Sequence, residues 1–523
     1  MEYNNPSELI KELTFSARAR NRMKQGVDKL AAAVSSTLGA SGKCVIYEDA
    51  MGRPIITKDG VTVAESVVLK DPLENIGATL IKEAAKNTVK EAGDGTTTAT
   101  VLSHAILTHA YEIIENENLR ELKKGIEQAT NDVIDLLESA KVEVSGDMLY
   151  SVANISTNND SELAKVISEA FTAVGNSGVV LMEESETDLT HVEIVDGVQF
   201  DSPLKSQHFI TDADKEKAVL ENPYVLIMDS KIPNIRRIQG VLEFVIKQNR
   251  SLLIIADIEQ QPLGALLMNK VRGNIKVNVV DQPGFGPTRR DTLEDLAAIT
   301  GAKLISDELG DDIDSISVDA LGEAVKAVTD GKNTVITVEE TSELVSERLA
   351  IAEAKLKSEQ NPFFKKKIEQ RVAMLSGKVG IVRVGANSKI ELKEKKDRVE
   401  DAIYAVKAAI QEGIIPGGGI ALLNASAKLN KTGNSNGYNV VLNAIMEPWI
   451  KIMTNADLNP EDRKYKKMKP GQGVDVVTGE IVDMVEAGII DPLLVTKTAL
   501  KNASSVAATI ISADAVISNV RID

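Results

Sequence analysis

Residues 91–101, Glu91-Ala92-Gly93-Asp94-Gly95-Thr96-Thr97-Thr98-Ala99-Thr100-Val101, hold the chain's densest run of groups able to do chemistry. The glycines let the backbone come close to a ligand. Asp94 can hold a hard cation. Three threonine hydroxyls, and the free N–H groups of a helix starting there, favour an anion. Phosphate with magnesium suits the whole set. A glycine stop followed by an Asp or Thr cap would explain the same residues without a ligand, although three consecutive threonines exceed what a cap needs. Lys58-Asp59-Gly60 reads either as an ordinary hairpin tip or as a lysine and a carboxylate carried toward a phosphate. Gly417-Gly418-Gly419, after Pro416, is either a flexible turn or a close approach to a ribose or base. Asp401 lies off the apolar stripe Val399, Ala402, Ile403, Val406 and Ile410, so it faces another surface, solvent by default. His104 and His109 are five residues apart, on different helix faces, which gives no zinc pattern.

Helices must present these groups. Leu73, Ile76, Leu80, Ile81, Ala84, Val89 and Ala92 keep helical spacing before the Gly-Asp-Gly turn, and Leu102, Ile106 and Ile113 resume it afterwards. The pattern predicts one long helix over 17–38 ending at Gly39. It predicts a hairpin of Ile55-Ile56-Thr57 and Val61-Thr62-Val63 around Lys58-Asp59-Gly60, and a charged helix over 118–140. The middle differs. Apolar strands at 224–228, 252–255 and 276–280 alternate with helical patterns at 235–247 and 263–271, an α/β unit. From Asp397 the chain turns helical again, as though one domain were interrupted by another. Residues 430–437 read as a polar loop, and Lys464-Tyr465-Lys466-Lys467 as a solvated basic face.

Composition sets limits. The chain has 523 residues, is 43% hydrophobic and only 3% aromatic, and carries a net charge of −17. Its length suits about three or four domains. The acidic balance argues against a nucleic-acid partner, which calls for a basic face. Cys44 is the only cysteine, so no internal disulfide forms, as in a reducing compartment. The first fourteen residues lack an apolar signal core, and no apolar run reaches membrane-spanning length. The expectation is a cytoplasmic protein with no membrane partner. No Ser or Cys nucleophile motif stands out.

Residues 408–419, Ala-Ala-Ile-Gln-Glu-Gly-Ile-Ile-Pro-Gly-Gly-Gly, resemble the signature of the GroEL-type, group I chaperonins, and Gly93 to Thr98 resembles their nucleotide loop. Also similar are Thr37-Leu38-Gly39, Thr57-Lys58-Asp59-Gly60, Pro283-Gly284-Phe285-Gly286 and the run Lys393 to Ala402. The match is collinear over residues 15–517. The resemblance implies a multi-domain α plus α/β fold. A helical equatorial ATP-binding domain would take residues 1–138 and 412–523, a small intermediate hinge 139–196 and 380–411, and an α/β apical domain 197–379. It implies an ATPase that captures non-native polypeptides in a ring cavity and folds them under a GroES-type co-chaperonin lid. The ring would be a homo-oligomer of seven, single or double.

Carried over by position, Asp94 would ligate magnesium. Gly95 and Thr96, Thr97 and Thr98 would bind phosphates. Thr37, Leu38, Gly39, Ala40 and Lys58 would line the phosphate side, with potassium near Thr37 and Lys58. Ile155, Gly418, Asp475, Val476, Ile489 and Asp491 would surround base and ribose. Asp59 and Asp401 would position or activate the attacking water, with Asp401 brought from a different domain than Asp94. Clients and lid would meet Leu204, His208, Phe209, Gln239, Leu242, Leu263, Leu267 and Met268. Ser504 to Val520 would supply a strand to a neighbouring subunit, and the lysine-rich stretch Leu458 to Lys469 would fall near the ring–ring surface.

Several positions depart from the family pattern: Ala40 and Ser41 after the phosphate loop, a more polar apical surface, Ser202 and Lys389 in place of an Arg–Glu pair, Lys378 in place of a hinge glycine, and no Gly/Met-rich tail after Asp523. The polar apical changes keep open a second expectation, a chaperonin-shaped capture or assembly protein with an altered client range, working as a single ring without encapsulation. No apical helical insertion separates Asp257 from Leu263, which disfavours a type with a built-in lid.

Overall fold

The computed structural model describes residues 11–519 apart from 50, 176–177, 214, 285–286, 312–315, 340–341, 359–360 and 431–432. Phe285 and Gly286 of the Pro-Gly-Phe-Gly motif therefore lie outside the described residues, as do parts of the 1–14 segment and the 430–437 loop. The chain divides into two compact units. One comprises Met1–Ser168, Glu184–Thr190 and Val384–Asp523, and the other Glu169–Glu183 and His191–Arg383.

The first unit is mainly helical. Its helix Pro72–Ala92 starts where the Asp71 carboxylate accepts from the N–H groups of Leu73 and Glu74, with proline at the first position, and stops at Gly93 with φ +82°. Helix Ser16–Ser35 crosses it at two glycines. A Cβ on Gly26 would lie 1.8 Å from the Glu74 carbonyl oxygen, and one on Gly77 would lie 2.2 Å from that of Met23. Only glycine permits that approach. Helix Thr96–Ile113 runs through the middle and is joined by helix Leu119–Ser139 and, from the far end of the chain, Leu493–Ile511. A buried Thr130–Ser504 hydroxyl bond of 2.8 Å, and one of 3.1 Å from Asn502 Nδ2 to Thr88 Oγ1, tie that last helix in. One core therefore contains Leu30, Ile81, Ile106 and Ile126 together with Val441, Leu500 and Ile511. The two ends of the sequence fold as one body around an insertion, as the composition suggests.

Two expected elements are corrected here. The hairpin is made by Val45–Glu48 and Pro54–Thr57, and Lys58-Asp59-Gly60 is not its tip. Asp59 instead caps a short helix, Gly60–Ser66, accepting from Val61 N at 3.1 Å and Thr62 N at 2.7 Å. Val63 is buried and a Cβ on Gly60 would meet Thr97 Oγ1 at 2.1 Å, so tertiary packing overrides the β-branched propensity. The segment from Ser504 is also mostly helical, ending at Ile511, and only Ala515–Asn519 is a strand. That strand pairs antiparallel with Lys11–Phe15 of the same chain.

The second unit holds two sheets. In the mainly parallel one, Leu304–Ile305, Tyr224–Met228, Ser251–Ile255 and Lys276–Val280 lie side by side, with Gly322–Glu323 antiparallel to Tyr224–Met228. Helices Gln239–Gln248 and Gln260–Val271 connect the central strands, in agreement with the predicted α/β pattern. The other sheet has six strands among the described residues, in the order Val179–Glu184, Lys378–Val384, His191–Phe200, Thr334–Val338, Lys326–Thr329, Ala218–Glu221. A buried hydrogen-bond chain joins Asn278 of one sheet to Thr329 and Thr334 of the other and ends on the Ser202 carbonyl. Ser202 is itself buried and donates to the Asp281 carbonyl at 2.7 Å. Asp295, fully buried, is held by Arg348 and by Arg371 Nε at 2.6 Å, pinning helices Pro287–Thr300, Glu343–Ser358 and Pro362–Leu375 together.

Candidate functional site

The first unit contains a cleft of about 920 Å³. Every residue expected at a nucleotide lines it: Thr37 to Ala40, Lys58, Asp59, Asp94 to Thr98, Ile155, Asp401, Gly418, Asp475, Val476, Ile489 and Asp491. They come from eight stretches of chain, and local packing explains how several of them arrive.

The Gly-Asp-Gly turn is the pivot. Gly93 has φ +82° and Gly95 φ +100°. A Cβ on Gly93 would lie 2.5 Å from the Tyr404 side chain, so the glycine lets helix Lys389–Glu412 sit directly on the turn. Asp401, one turn before Tyr404, is thereby brought to Asp94. Helix Thr96–Ile113 has Gly95 as its cap and no side-chain acceptor on its first N–H groups. The Thr96 hydroxyl is buried without a hydrogen-bond partner. Unused donors at the positive end of an 18-residue helix fit an anionic ligand.

The acids around that point are unusual. Burial pushes the Asp94 carboxyl above its ordinary range, and the charge of Asp59 adds to this, against a hydrogen bond from the Gly95 N–H. Asp401 lies well above the usual range, through burial first and then the charges of Asp94, Asp59, Glu400 and Asp397. Asp491 is pushed up to about 7 by burial and by Asp94, against a hydrogen bond from Gly418. No cation is among the charges that act most strongly on these three. The groups crowd one another in the way that a bound cation relieves. No three of the described His, Cys, Asp or Glu residues form a metal cage. A divalent ion here would draw further ligands from phosphate oxygens and water, which is how magnesium binds beside nucleotides. Asp401 and Asp94 fall in the same compact unit.

The glycine loop 417–419 has a packing reason of its own. Cβ atoms there would come within 3.0 Å of the Ile489 carbonyl, 3.1 Å of Met484 Cε and 2.7 Å of Trp449 N. On the phosphate side, Asn455 Nδ2 donates to the carbonyls of Ser35 at 3.0 Å and Leu38 at 2.9 Å, fixing the Thr37–Ala40 turn. Sequence reasoning missed Asn455, because nothing marks one buried asparagine at a helix end. It also missed Asn158 and Asn159, which line the cleft with φ +57° and +63°, and the run of Lys389, Lys393 and Arg398 along the same wall.

The second unit holds the residues expected to meet clients. Gln239 and His208 are exposed, Met268 is 55% exposed, and Leu204, Leu242, Leu263 and Leu267 are half-buried against the core. Phe209 is a correction. Its ring is fully buried in that core and capped by Lys270, whose Nζ lies 5.9 Å from the ring centroid and donates to the His208 and Ile210 carbonyls. It supports the surface without forming it. Ile246 and Val271, 49% and 71% exposed, lie on the same two helices and were not anticipated.

Residues 30–521 match the TCP-1/cpn60 chaperonin family. The chain belongs to that family. The chaperonin gp146 from the bacteriophage EL 2 (Pseudomonas aeruginosa) has a similar structure. It is 23% identical, with a TM-score of 0.72 over 98% of this chain and 99% of that chain in one crystal form. In a second crystal form the TM-score is 0.64, over 97% and 99%. Both structures of gp146 were obtained in the presence of ATP-BeFx. The fold is thus the chaperonin multi-domain fold, with its helical part split between the chain ends. No helix of the described residues is long and apolar enough to cross a membrane.

Proposed function

We propose that this chaperonin is a magnesium-dependent ATPase of the group I type that captures non-native polypeptides in a homo-oligomeric ring and promotes their folding. The observation that carries the nucleotide reading is the convergence of the orphaned Thr96 hydroxyl, the uncapped helix start and the crowded acids Asp94, Asp401 and Asp491 on one cleft. Asp94 would hold magnesium, and Gly95 to Thr98, with Thr37 to Ala40 and Lys58, the phosphates, with potassium beside Thr37 and Lys58. Ile155, Gly418, Asp475, Val476, Ile489 and Asp491 would surround base and ribose.

Phosphoryl transfer asks mainly for placement and charge neutralisation. Asp401 would align the attacking water. Asp59 is already committed, since both its oxygens accept hydrogen bonds from residues 61 and 62, and it acts here as a fixed charge facing that water. A hinge formed by 139–196 and 380–411 would carry Asp401 to and from the nucleotide. Apical residues Leu204, His208, Gln239, Leu242, Leu263, Leu267 and Met268 would bind clients and a GroES-type lid, in seven-membered rings within the cytoplasm. Measuring ATP turnover and refolding of a denatured client, with and without a co-chaperonin, tests this. Asp94→Lys puts a cation at the metal position and should abolish magnesium-ATP binding. Unchanged affinity in that variant would reduce the Gly-Asp-Gly turn to a helix cap.

The second reading, capture without encapsulation, is favoured by the polar Gln239 and His208 on the exposed face. Refolding that is indifferent to every co-chaperonin tried would select it.

A further inference from the structure

One face of helix Lys389–Glu412 lines the cleft through Lys389, Lys393, Asp397 and Asp401, at intervals of four. That spacing keeps them on one side of the helix. From Asp401 outward the sequence of charge is negative, negative, positive, positive. The neighbouring cations are spent: Lys395 pairs with Glu391 at 2.9 Å, Lys396 with Glu184 at 2.5 Å, and Arg398 with Glu394. Lys389 and Lys393 make no ion pair among the described residues, and both are exposed. They face a cleft that also contains Asp59, Asp94, Asp475 and Asp491, in a chain of net charge −17. An anionic nucleotide approaching this site meets repulsion from the protein as a whole and from the cleft floor.

We propose that Lys389 and Lys393 are an electrostatic intake that draws the magnesium-nucleotide anion into the cleft. They set its rate of association and do not hold it once bound. The inference rests on the nucleotide reading above. Lys393 stands two helical turns, about 12 Å along the axis, from Asp401, and Lys389 about 18 Å. At those separations a lysine acts on the bound phosphates through space, and the effect is governed by the Debye length. Among the described residues Lys58 is a third cation of the cleft without an ion pair, but it follows strand Pro54–Thr57, at the proposed phosphate side. The helix stripe is thus the part of the wall free to act on approach. Steering of this kind changes the on-rate and leaves the off-rate alone.

The test is stopped-flow binding of magnesium-ATP to the full chain, read by the fluorescence of Trp449, the only tryptophan, which lines the cleft. Lys389→Glu/Lys393→Glu is compared with the native protein and with Lys123→Glu/Lys124→Glu, which has the same net charge but alters exposed lysines of helix Leu119–Ser139 outside the cleft. For a doubly charged ligand, screened Coulomb energies give about a tenfold slower association near 0.01 M salt, about twofold at 0.15 M and none at 1 M. The off-rate should change by less than about twofold, and the control should behave as native. Native-like association of the stripe variant at low salt would overturn the proposal, and so would a faster off-rate or an equal slowing in the control. A native chain that binds no ATP would instead overturn the nucleotide reading, and this inference with it.

Discussion

Asp491→Asn should make the protein more stable at pH 8, and by less than half as much at pH 5. The Asp491 carboxyl is pushed up to about 7 from an ordinary 3.8, through burial and the charge of Asp94. The folded state therefore binds more protons than the unfolded one between those two values. Stability is fully present below about 4 and falls as pH rises through 7. Three units would correspond to about 4 kcal/mol, which is a ceiling, because part of the carboxylate opens to the cleft and is screened there. A gain of about 1–3 kcal/mol at pH 8 is the working figure. The amide keeps the shape and can still accept from Gly418, so little else changes. Urea unfolding without magnesium or nucleotide, at both pH values, reads the difference. An equal gain at pH 5 and pH 8, or a loss at both, would refute the argument that these acids crowd one another in the empty site.

Gly77→Ala should destabilise the first unit by about 1–3 kcal/mol despite alanine's better helix propensity, since its Cβ would press on the Met23 carbonyl. A rise in urea midpoint would show that the helices part freely. Phe209→Ala should cost about 3–5 kcal/mol in the second unit, whereas Met268→Ser should leave stability within about 0.5 kcal/mol and weaken capture of an unfolded client. The reverse pattern in thermal melts and co-sedimentation would return Phe209 to the surface. Mass measurement in solution at low and high salt should find a ring, with paired rings more frequent at high salt. The exposed Arg463, Lys464, Lys467 and Lys469 would repel across a two-fold contact. A monomer under all conditions, ATP included, would remove the ring assignment.

Much of the fold was legible because long amphipathic helices announce themselves. The capped helix Leu119–Ser139 and the alternation of strand and helix from Tyr224 to Val280 lie where periodicity puts them. Lys58-Asp59-Gly60 misled because an Asp-Gly pair serves a hairpin and a helix cap equally well. What decided it was Thr97, 37 residues away in sequence. The last strand was overextended because the β-branched and small residues of 504–511 suit a buried helix as well as a strand. For the site, glycines and acids marked the cleft, but their convergence depended on contacts such as Gly93 with Tyr404 that no local pattern carries. Exposure was least legible of all. Phe209 and Met268 both read as apolar residues of an amphipathic face, and only packing separates the buried one from the open one.

The most direct test of the central claim is Asp401→Ala, assayed for both ATP turnover and ATP affinity. Asp401 reaches the cleft on a separate helix and is assigned to the attacking water, not to the bound phosphates or metal. Losing a group that acts mainly in the transition state lowers kcat far more than affinity. The account predicts turnover reduced by about a hundredfold or more, with magnesium-ATP binding within a few-fold of native. Turnover at the native rate, or a loss of binding as large as the loss of turnover, would contradict it.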